Sequence, residues 1–517
     1  MTAKPAFYIT TPIYYVNDIP HIGHAYTTLA CDVMARFKRL DGYDVMFLTG
    51  TDEHGQKVEK SAAAKGKQPI EFCDEVSQRF RDLAEFMNFS HDDFVRTTEE
   101  RHKIACQALW RKLEDSGNIY LDKYSGWYSV RDEAYYTESE LLDGEGGEKL
   151  APTGAPVEWV EEESYFFRLS AFEDKLLAWY DQLPETVLPK SRKNEVKSFV
   201  EGGLRDLSVS RTSFSWGVPV PGNDKHIMYV WIDALTNYLT AIGYPDMDGE
   251  AFRKFWPADV HMVGKDILRF HAVYWPAFLM AADIAPPKRV FAHGWWTNEG
   301  QKISKSVGNV IDPFEIVEEF GLDQVRYFLM REVPFGNDGD FSRNAMMSRT
   351  NADLAGGLGN LAQRSLSMIF KNCDGQIPTC GSLTEDDTTI LAALDSQLDK
   401  VRDHMENQMF HKALEVIFNL ESAANIYFND QAPWALKKTD PERMATVLYV
   451  TAEIVRQMAL LIQPFMPDSA TKLLDQLKIP ADRRGFDQLG ETGRLTSGVA
   501  LDKPEGVFPR YVEAENA

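Results

Sequence analysis

The N-terminal part of the chain carries the pattern of a strand, a helix and a second strand. Residues 7–15 read FYITTPIYY, a β-branched and aromatic run that ends at the turn-prone segment VNDIP. The segment HIGHAYTTLACDVMARFKRLDG follows, with apolar residues at helical spacing and a glycine at its end. YDVMFLTGTDEHG then has the composition of a second buried strand. A strand–helix–strand unit predicts a parallel sheet with right-handed crossovers, so we expect an α/β core.

Two short polar segments fall where such a sheet binds ligands. His21-Ile22-Gly23-His24 lies at the predicted junction of loop and helix, and residues 51–55 follow the carboxyl end of the second strand. Open α/β sheets bind their ligands at the carboxyl ends of the strands. These two segments are therefore the first candidates for a functional site.

Composition limits the class of protein. The chain has 517 residues, 44% hydrophobic and 26% charged, which is typical of a folded protein of about three domains. No apolar run approaches the roughly 20 residues of a membrane-spanning helix, and the N-terminus lacks a signal pattern, so we expect a cytoplasmic protein without a membrane partner. A net charge of −23 argues against non-specific adhesion to nucleic acid but leaves a local basic face open. The five cysteines include no CxxC pair, which predicts reduced thiols.

The sequence pattern changes several times along the chain. Between Lys123 and Lys225 it is turn-rich and acidic, as expected of an insertion. Strand patterns return in HIMYVWIDALTNYLTAIG and DVHMVGKDILRFHAVYWPAFLMAA, and helical periods dominate after Ser348. We expect five parts: the first half of the α/β domain (1–122), an inserted connective domain (123–225), the second half of the α/β domain (226–290), a junction (291–347) and a helical domain with a C-terminal tail (348–517). The tail, from about Lys478, can fold back on the helices.

The histidine pair permits two kinds of site. As metal ligands, His21 and His24 are poorly supported, because no Cys, Asp or Glu follows them at ligand spacing. As an anion site the segment is better supported, because a helix N-terminus offers amide donors and a positive potential, and Gly23 lets a phosphate approach the backbone. We therefore interpret the segment as a phosphate-binding helix start.

A second candidate is the run KISKS at residues 302–306, followed by Val-Gly-Asn. An isolated pair of lysines is most often a solvated basic loop. On a flexible loop, the same lysines could also follow a triphosphate whose charge rises as pyrophosphate leaves. Taken alone, the run leaves both interpretations open.

In this order, the two motifs resemble the HIGH and KMSKS signatures of class I aminoacyl-tRNA synthetases. The segments TTPIYYVNDIPHIGHAYTT, FLTGTDEHGQK, YVWIDALTNY, VGKDILRFH, FAHGWW and KISKS are similar to the methionyl-tRNA synthetase family, and the resemblance spans nearly the whole chain. It implies a Rossmann-like parallel-sheet catalytic domain, split by the connective domain and followed by an α-helical bundle that binds the anticodon. It also implies activation of L-methionine by ATP with Mg²⁺ to methionyl-adenylate and pyrophosphate, and transfer of methionine to elongator and initiator tRNA(Met).

The resemblance assigns roles to three groups of residues. The ATP-binding group is His21, Gly23, His24, Gly264, Asp266, His293, Lys302, Ser304 and Lys305, of which His21, His24, Lys302 and Lys305 are the catalytic candidates. The methionine-binding group is Ile13, Tyr15, Asp52, Trp231, Ala234, Leu235, Tyr238, Phe270 and His271, with Asp52 facing the substrate ammonium. The anticodon-binding group is Asn360, Arg364 and Trp434, with Trp434 stacking on C34 of the anticodon. Without the resemblance, the pocket aromatics and Trp434 are ordinary core residues, and Asp266 is as well explained as a helix cap.

The sequence departs from the family at one place in the connective domain. Many members carry CxxC zinc knuckles there, whereas no cysteine lies between Cys106 and Cys373 in this chain. Some relatives also append a C-terminal tRNA-binding dimerisation module, which this chain lacks after its helical region. We therefore expect no metal ligands in the chain and a monomer.

Two alternative functions stay open on the sequence. A cysteine-activating class I synthetase is disfavoured, because that family selects its substrate with zinc thiolates. A non-catalytic tRNA-binding paralogue is disfavoured by the intact His21, His24, Lys302 and Lys305. ATP–pyrophosphate exchange with each amino acid separates these functions.

We predict that the purified protein contains no stoichiometric zinc. The stretch GWYSVRDEAYYTESELLDG keeps the aromatic residues of the connective domain but has no thiolate to hold the ion. Elemental analysis by mass spectrometry measures the zinc content directly. One zinc ion per chain would contradict this prediction.

Overall fold

The computed structural model describes residues 4–16, 19–132, 134–144, 147–303 and 309–513. It divides into two compact units. The first, called here the sheet unit, comprises Ala6–Pro20 and Met46–His293. The second, called here the helical unit, comprises Met1–Pro5, His21–Val45 and Gly294–Ala517. The chain thus passes between the units several times, and the helix that follows the histidine pair belongs to the helical unit.

The sheet unit is built on a seven-stranded sheet, as the N-terminal pattern predicts. Its strands are Ala6–Thr10, Tyr14–Tyr15, Asp44–Asp52, Asp93–Arg96, Val187–Leu188, Val260–Gly264 and Val290–His293. Named by their first residues, neighbouring strands run in the order Val187, Val290, Val260, Ala6, Asp44 and Tyr14, and the Asp93 strand pairs with the Asp44 strand. Five of the ladders are parallel. Because parallel strands end at a common edge, the predicted ligand-binding edge is present in this sheet.

Small antiparallel sheets occupy the middle of the sheet unit. A four-stranded sheet consists of Ile119–Ser129, Ala134–Tyr136, Glu158–Phe167 and Leu207–Ser208, and a three-stranded sheet consists of Ser210–Arg211, Pro219–Val220 and Asn223–Met228. Leu142–Asp143 and Lys149–Leu150 form a two-stranded sheet. These sheets fall within the turn-rich stretch in which the sequence pattern indicates an insertion.

Helices flank the parallel sheet. They are Gln56–Ala64, Pro69–Phe86, Glu100–Asp115, Glu173–Gln182, Lys190–Glu201, Val230–Thr240, Glu250–Phe255 and Trp275–Ala281, and a π-helical turn spans Phe270–Tyr274. The strand pattern in HIMYVWIDALTNYLTAIG was misleading over most of its length. Only the segment ending at Met228 is a strand, and it pairs antiparallel outside the parallel sheet. The residues from Val230 onward form a helix because their apolar side chains recur at helical spacing.

The helical unit confirms the predicted C-terminal bundle. Its helices are Ile22–Leu40, Pro313–Phe320, Leu322–Arg331, Arg343–Arg349, Asn360–Asn372, Glu385–Asp395, Gln397–Glu406, Phe410–Gln431, Pro433–Thr439, Pro441–Ile462 and Pro467–Gln476, with a π-helix at Thr350–Gly359. A three-stranded sheet consists of Trp296–Asn298, Gln301–Lys302 and Gly339–Phe341. The tail folds back on this unit, since Tyr511 stacks on Phe320 at 4.6 Å between ring centroids.

One helix corrects the expectation about apolar runs. Pro441–Ile462 is long and apolar enough to cross a membrane, which the sequence survey missed. Within the protein, however, 94% of the apolar stretch of this helix is buried. Its buried Glu453 and Arg456 form an ion pair of 2.6 Å, so the charges that interrupt the run neutralise each other. The helix is therefore the central core helix of the bundle.

A buried ion pair holds the helix that begins after His21. Asp32 on this helix accepts a hydrogen bond from Nη2 of Arg326 at 2.7 Å, and both side chains are fully buried. The same guanidinium donates to the carbonyl oxygens of Pro464 and Phe465. One arginine thus connects Ile22–Leu40, Leu322–Arg331 and the turn after the core helix.

Candidate active site

The histidine pair forms the start of a helix in the helical unit. His21 is the N-cap residue of Ile22–Leu40, and its Nδ1 accepts a hydrogen bond from the backbone N–H of Gly23 at 3.1 Å. In return, the N–H of His21 donates to Nδ1 of His24 at 3.1 Å. The two imidazoles therefore act as the two side chains of a capping box, with their ring centroids 3.9 Å apart.

This arrangement fixes the tautomer of both rings. An Nδ1 atom that accepts a hydrogen bond carries no proton, so the proton of each neutral ring lies on Nε2. Burial lowers the pKa of His21, and burial together with the charge of His21 lowers the pKa of His24 well below its usual value. At neutral pH each ring thus offers one neutral Nε2–H donor at a positive helix end, which suits phosphate oxygens.

A glycine is required between the two rings. A Cβ atom on Gly23 would lie 2.9 Å from Cε1 of the His21 ring, which is too close for an undisturbed cap. The amide group of Gly23 is also the donor in the cap. The spacing of the motif therefore follows from local geometry.

The second motif is described only at its edge. Gln301–Lys302 pairs antiparallel with Trp296–Asn298 in a hairpin. The side chain of Lys302 and the residues Ser304 and Lys305 lie outside the described part of the structure. The lysine assignments of this motif therefore stay predictions.

Three of the predicted ATP residues meet at the carboxyl edge of the parallel sheet. Gly264 ends one strand and is the parallel partner of His293, which ends the next. Asp266 lies in the short turn that follows, and a Cβ on Gly264 would come within 2.6 Å of its Oδ1 atom. Asp266 is therefore no helix cap, since Gly264 holds that position. The absence of a side chain at residue 264 thus allows the carboxylate of Asp266 to approach this strand end.

Four of the predicted methionine residues lie on one face of Val230–Thr240. Trp231, Ala234, Leu235 and Tyr238 recur at the helical spacing, and the last three are buried. Trp231 is half-buried and stacks on Phe270, with ring centroids 3.7 Å apart and planes 6° from parallel. The stack gives this face a flat aromatic wall.

The π-helical turn places His271 behind the wall. Its Nδ1–H donates to the carbonyl oxygen of Ile267 at 2.9 Å, so its Nε2 accepts a hydrogen bond from the hydroxyl of Tyr238 at 2.7 Å. Burial lowers the pKa of His271 to about 4, which keeps the ring neutral at physiological pH. Both ring nitrogens are thus used within the protein, and the wall is apolar in character. A π-helical turn is a frequent feature of functional sites.

The remaining predicted methionine residues lie beside the end of the strand Asp44–Asp52. Tyr15 pairs with Asp52 across a parallel ladder, and the hydroxyl of Tyr15 donates to the carbonyl oxygen of His54 at 3.1 Å. Asp52 is buried, with 6% of its surface exposed. Ile13 lies against the same strand, because a Cβ on Gly50 would come 3.0 Å from its Cγ2 atom. All nine predicted pocket residues therefore belong to the sheet unit.

The sequence survey missed a buried polar cluster beside these residues. The carboxylate of Asp233 lies between His54 and His102, at 2.7 and 2.8 Å from their ring nitrogens. Cys106 lies 3.2 Å from the ring of His102. The available signal in the sequence is Asp233, a charged residue in a helical stretch whose other residues are uncharged.

Within the described residues, His102, Cys106 and Asp233 form a group that could hold a metal ion. Two observations favour a hydrogen-bonded network instead. Both ring nitrogens of His102 already have partners, Thr240 and Asp233. Burial and the charge of Asp233 raise the pKa of the Cys106 thiol well above its usual value, so this group is a neutral thiol and a weak ligand.

Two of the predicted anticodon residues are brought together in the helical unit. Trp434 is 48% exposed and packs edge-on against Phe428 at 5.9 Å between centroids. The guanidinium of Arg364 lies 5.4 Å from the Trp434 ring and donates to Oδ1 of Asn429 at 3.1 Å. Asn360 is exposed one helical turn before Arg364. An exposed indole beside a held guanidinium can stack a base and hydrogen-bond its edge.

Comparison with known proteins gives the family. Residues 7–366 match the family model described as tRNA synthetases class I (M), and residues 377–517 match the anticodon binding domain of methionyl tRNA ligase. The methionine–tRNA ligases of Rhizobium meliloti and Mesorhizobium japonicum are each 59% identical to this chain, over 509 and 515 residues. These alignments cover 98% and 100% of this chain and 99% of each relative.

Solved structures agree. Mycobacterium tuberculosis methionyl-tRNA synthetase in complex with methionyl-adenylate is 55% identical and superposes with a TM-score of 0.95, over 98% of this chain and 100% of that chain. Its free-state structure is 52% identical with a TM-score of 0.90, over 99% of each chain. The chain therefore belongs to the methionyl-tRNA synthetase family of class I aminoacyl-tRNA synthetases, the methionine–tRNA ligases.

Proposed function

We propose that the chain performs the two-step reaction of its family through the residues described above. The carboxylate of methionine attacks the α-phosphate of ATP, giving methionyl-adenylate and pyrophosphate, and the methionyl group then passes to tRNA(Met), of both the elongator and the initiator kind. The observation that carries this proposal is the apolar wall of Trp231 and Phe270 in the same compact unit as the buried carboxylate of Asp52, in a chain of this family. No covalent nucleophile is needed, because positioning and charge stabilisation suffice for attack by a carboxylate.

The methionine pocket follows from the chemistry of its wall. A thioether is polarizable and makes weak hydrogen bonds, so aromatic and aliphatic contacts suit it better than polar ones. Trp231, Leu235 and Phe270 supply such contacts. Asp52 carries the negative charge for the α-ammonium group, with Tyr15 paired beside it.

The ATP-binding residues divide by chemistry. His21 and His24 donate from Nε2 to phosphate oxygens at a helix start, and Gly23 keeps that start accessible. Gly264, Asp266 and His293 bind the adenosine. Lys302, Ser304 and Lys305 neutralise the leaving pyrophosphate, with Lys305 acting mainly in the transition state. Mg²⁺ enters with ATP and offsets the phosphate charge.

The remaining proposals concern partners and location. Residues 348–517 bind the anticodon of the tRNA through the face of Asn360, Arg364 and Trp434. Residues 1–122 and 226–290 form the catalytic domain, 123–225 the connective domain and 291–347 the junction. We propose a cytoplasmic monomer with no zinc.

ATP–pyrophosphate exchange tests the proposed function. Exchange should depend on methionine and should be absent or far weaker with cysteine, because the apolar wall has no thiolate-binding metal. The measurement is exchange of labelled pyrophosphate into ATP with each of the twenty amino acids. Exchange driven best by cysteine, or none with any amino acid, would overturn the proposal.

Replacement of Trp231 by alanine tests the pocket. Loss of the aromatic wall should raise the KM for methionine about tenfold or more, since burial of a large apolar side chain contributes roughly 1.5–3 kcal/mol. The KM for ATP should stay within about threefold of the wild-type value, because the substitution leaves the ATP-binding residues intact. Trp159→Ala is the matched control in the same unit, because Trp159 is 53% exposed on the antiparallel sheet. Equal effects of the two substitutions would contradict the assignment.

Replacement of Trp434 by alanine tests the anticodon face. The KM for tRNA(Met) in aminoacylation should rise about tenfold to a hundredfold, because stacking of a base on an aromatic ring is worth about 1–3 kcal/mol. ATP–pyrophosphate exchange should be unchanged, since activation does not require tRNA. Trp434→Phe keeps a stacking face and should recover most of the loss. Unchanged charging by Trp434→Ala would show that the residue does not contact the anticodon.

A further inference from the structure

The helix Val230–Thr240 has two functional faces. One face carries the proposed methionine-binding residues Trp231, Ala234, Leu235 and Tyr238. The other carries Asp233 and Thr240, seven residues apart and therefore on the same side of the helix. Both side chains contact His102, on the helix Glu100–Asp115. The position of the pocket face is thus tied to the contacts of the opposite face.

The carboxylate of Asp233 bridges two histidines. Its Oδ2 lies 2.7 Å from Nδ1 of His54, and its Oδ1 lies 2.8 Å from Nε2 of His102. All three side chains are buried, with at most 3% of any of them exposed. Burial alone would raise the pKa of Asp233, but the charges and hydrogen bonds of the two histidines outweigh it and hold the pKa below its usual value. Asp233 is therefore a carboxylate at neutral pH.

The His102 end of the bridge is a closed hydrogen-bond chain. The hydroxyl of Thr240 donates to the carbonyl oxygen of Thr236 at 3.1 Å, so its oxygen accepts from Nδ1–H of His102 at 3.0 Å. Nε2 of His102 lies 2.8 Å from Oδ1 of Asp233 and 3.2 Å from Sγ of Cys106. This hydrogen-bond chain joins two helices of the sheet unit.

The His54 end of the bridge leads to the substrate side. His54 lies two residues after Asp52, and its carbonyl oxygen accepts the hydrogen bond from Tyr15 at 3.1 Å. The intervening Glu53 is held independently, since its carbonyl oxygen accepts from Nε1 of Trp216 and its carboxylate pairs with Arg96. The imidazole of His54 therefore connects this segment to the pocket helix through Asp233.

We infer that Asp233 is a positioning residue for methionine: by holding His54, it sets the separation between the Asp52 end of the strand and the aromatic wall on Val230–Thr240. This inference rests on the methionine pocket proposed above. One register of the helix places the carboxylate between both rings, and in that register Trp231 and Leu235 face the pocket. Loss of the bridge frees the helix to shift along or about its axis, which loosens the pocket without touching the ATP-binding residues.

The test separates positioning from general stability. Asp233→Asn and His54→Leu should each raise the KM for methionine about tenfold or more in ATP–pyrophosphate exchange, because each removes a hydrogen bond to a charged group. The KM for ATP and kcat at saturating methionine should stay within about threefold of wild type. His54→Gln keeps an N–H donor and should restore part of the methionine affinity. If Asp233→Asn does not fold because His102 loses its counter-charge, His54→Leu decides, since it leaves the Asp233–His102 pair intact.

A buried ion pair of the helical unit supplies the control. Glu453→Gln breaks this pair, so it should lower the melting temperature and leave the KM for methionine unchanged. An unchanged KM for methionine in His54→Leu, or an equal rise in the KM for ATP, overturns the inference. Trp231→Ala tells this failure apart from failure of the pocket itself: if Trp231→Ala raises the KM for methionine and His54→Leu does not, the pocket stands and the positioning role falls.

Discussion

A charge removed from water needs its counter-charge close by, and this requirement fixes the helices that carry the functional residues in both units. In the sheet unit, the buried carboxylate of Asp233 on the pocket helix is held by hydrogen bonds with the rings of His54 and His102. In the helical unit, Asp32 on the histidine-bearing helix meets Arg326. Loss of one partner of a buried pair typically costs about 3–5 kcal/mol, because the other charge stays buried. Each pair therefore selects one position along its helix, and the functional face of that helix follows from it.

At the histidine motif, local hydrogen bonds likewise fix the position of the side chains. His21 and His24 satisfy amide groups that a helix start would otherwise leave without partners. The same hydrogen bonds hold both rings in one tautomer, so the helix cap also fixes Nε2 as the protonated nitrogen of each ring. Substitution of either histidine thus removes a donor and a cap together. In the proposed ATP site, each ring would serve the backbone through Nδ1 and a phosphate oxygen through Nε2, and this double role would account for the two histidines of the motif.

How much the sequence predicts depends on the range of the interaction. The strand–helix–strand unit and the helix start at the histidine motif are local, and periodicity with turn residues was enough to predict them; the capping role of His21 appears only in the structure. The pocket needed the family resemblance, because Trp231 and Tyr238 have the same spacing as any buried helix face. The bridge at Asp233 was missed, since its partners lie 131 and 179 positions away in the chain. The helix Pro441–Ile462 was correctly placed in the bundle, but the pairing of its buried Glu453 and Arg456 appears only in the fold.

The pocket must be rigid because its selectivity for a thioether side chain depends on the position of its walls. An apolar pocket discriminates a missing methylene by only about 1–3 kcal/mol, and it does so only where its walls keep their separation. His271 contributes to this selectivity because its two ring nitrogens are hydrogen-bonded to Ile267 and Tyr238. The wall therefore provides few hydrogen-bonding groups for a polar side chain. A wall that could move would close around a shorter side chain, and the difference in binding free energy between the two substrates would be lost. Fixing the pocket helix through a buried hydrogen-bonded bridge on its opposite face keeps the wall in place without adding a polar group to the pocket. A polar group there would weaken recognition of an apolar side chain.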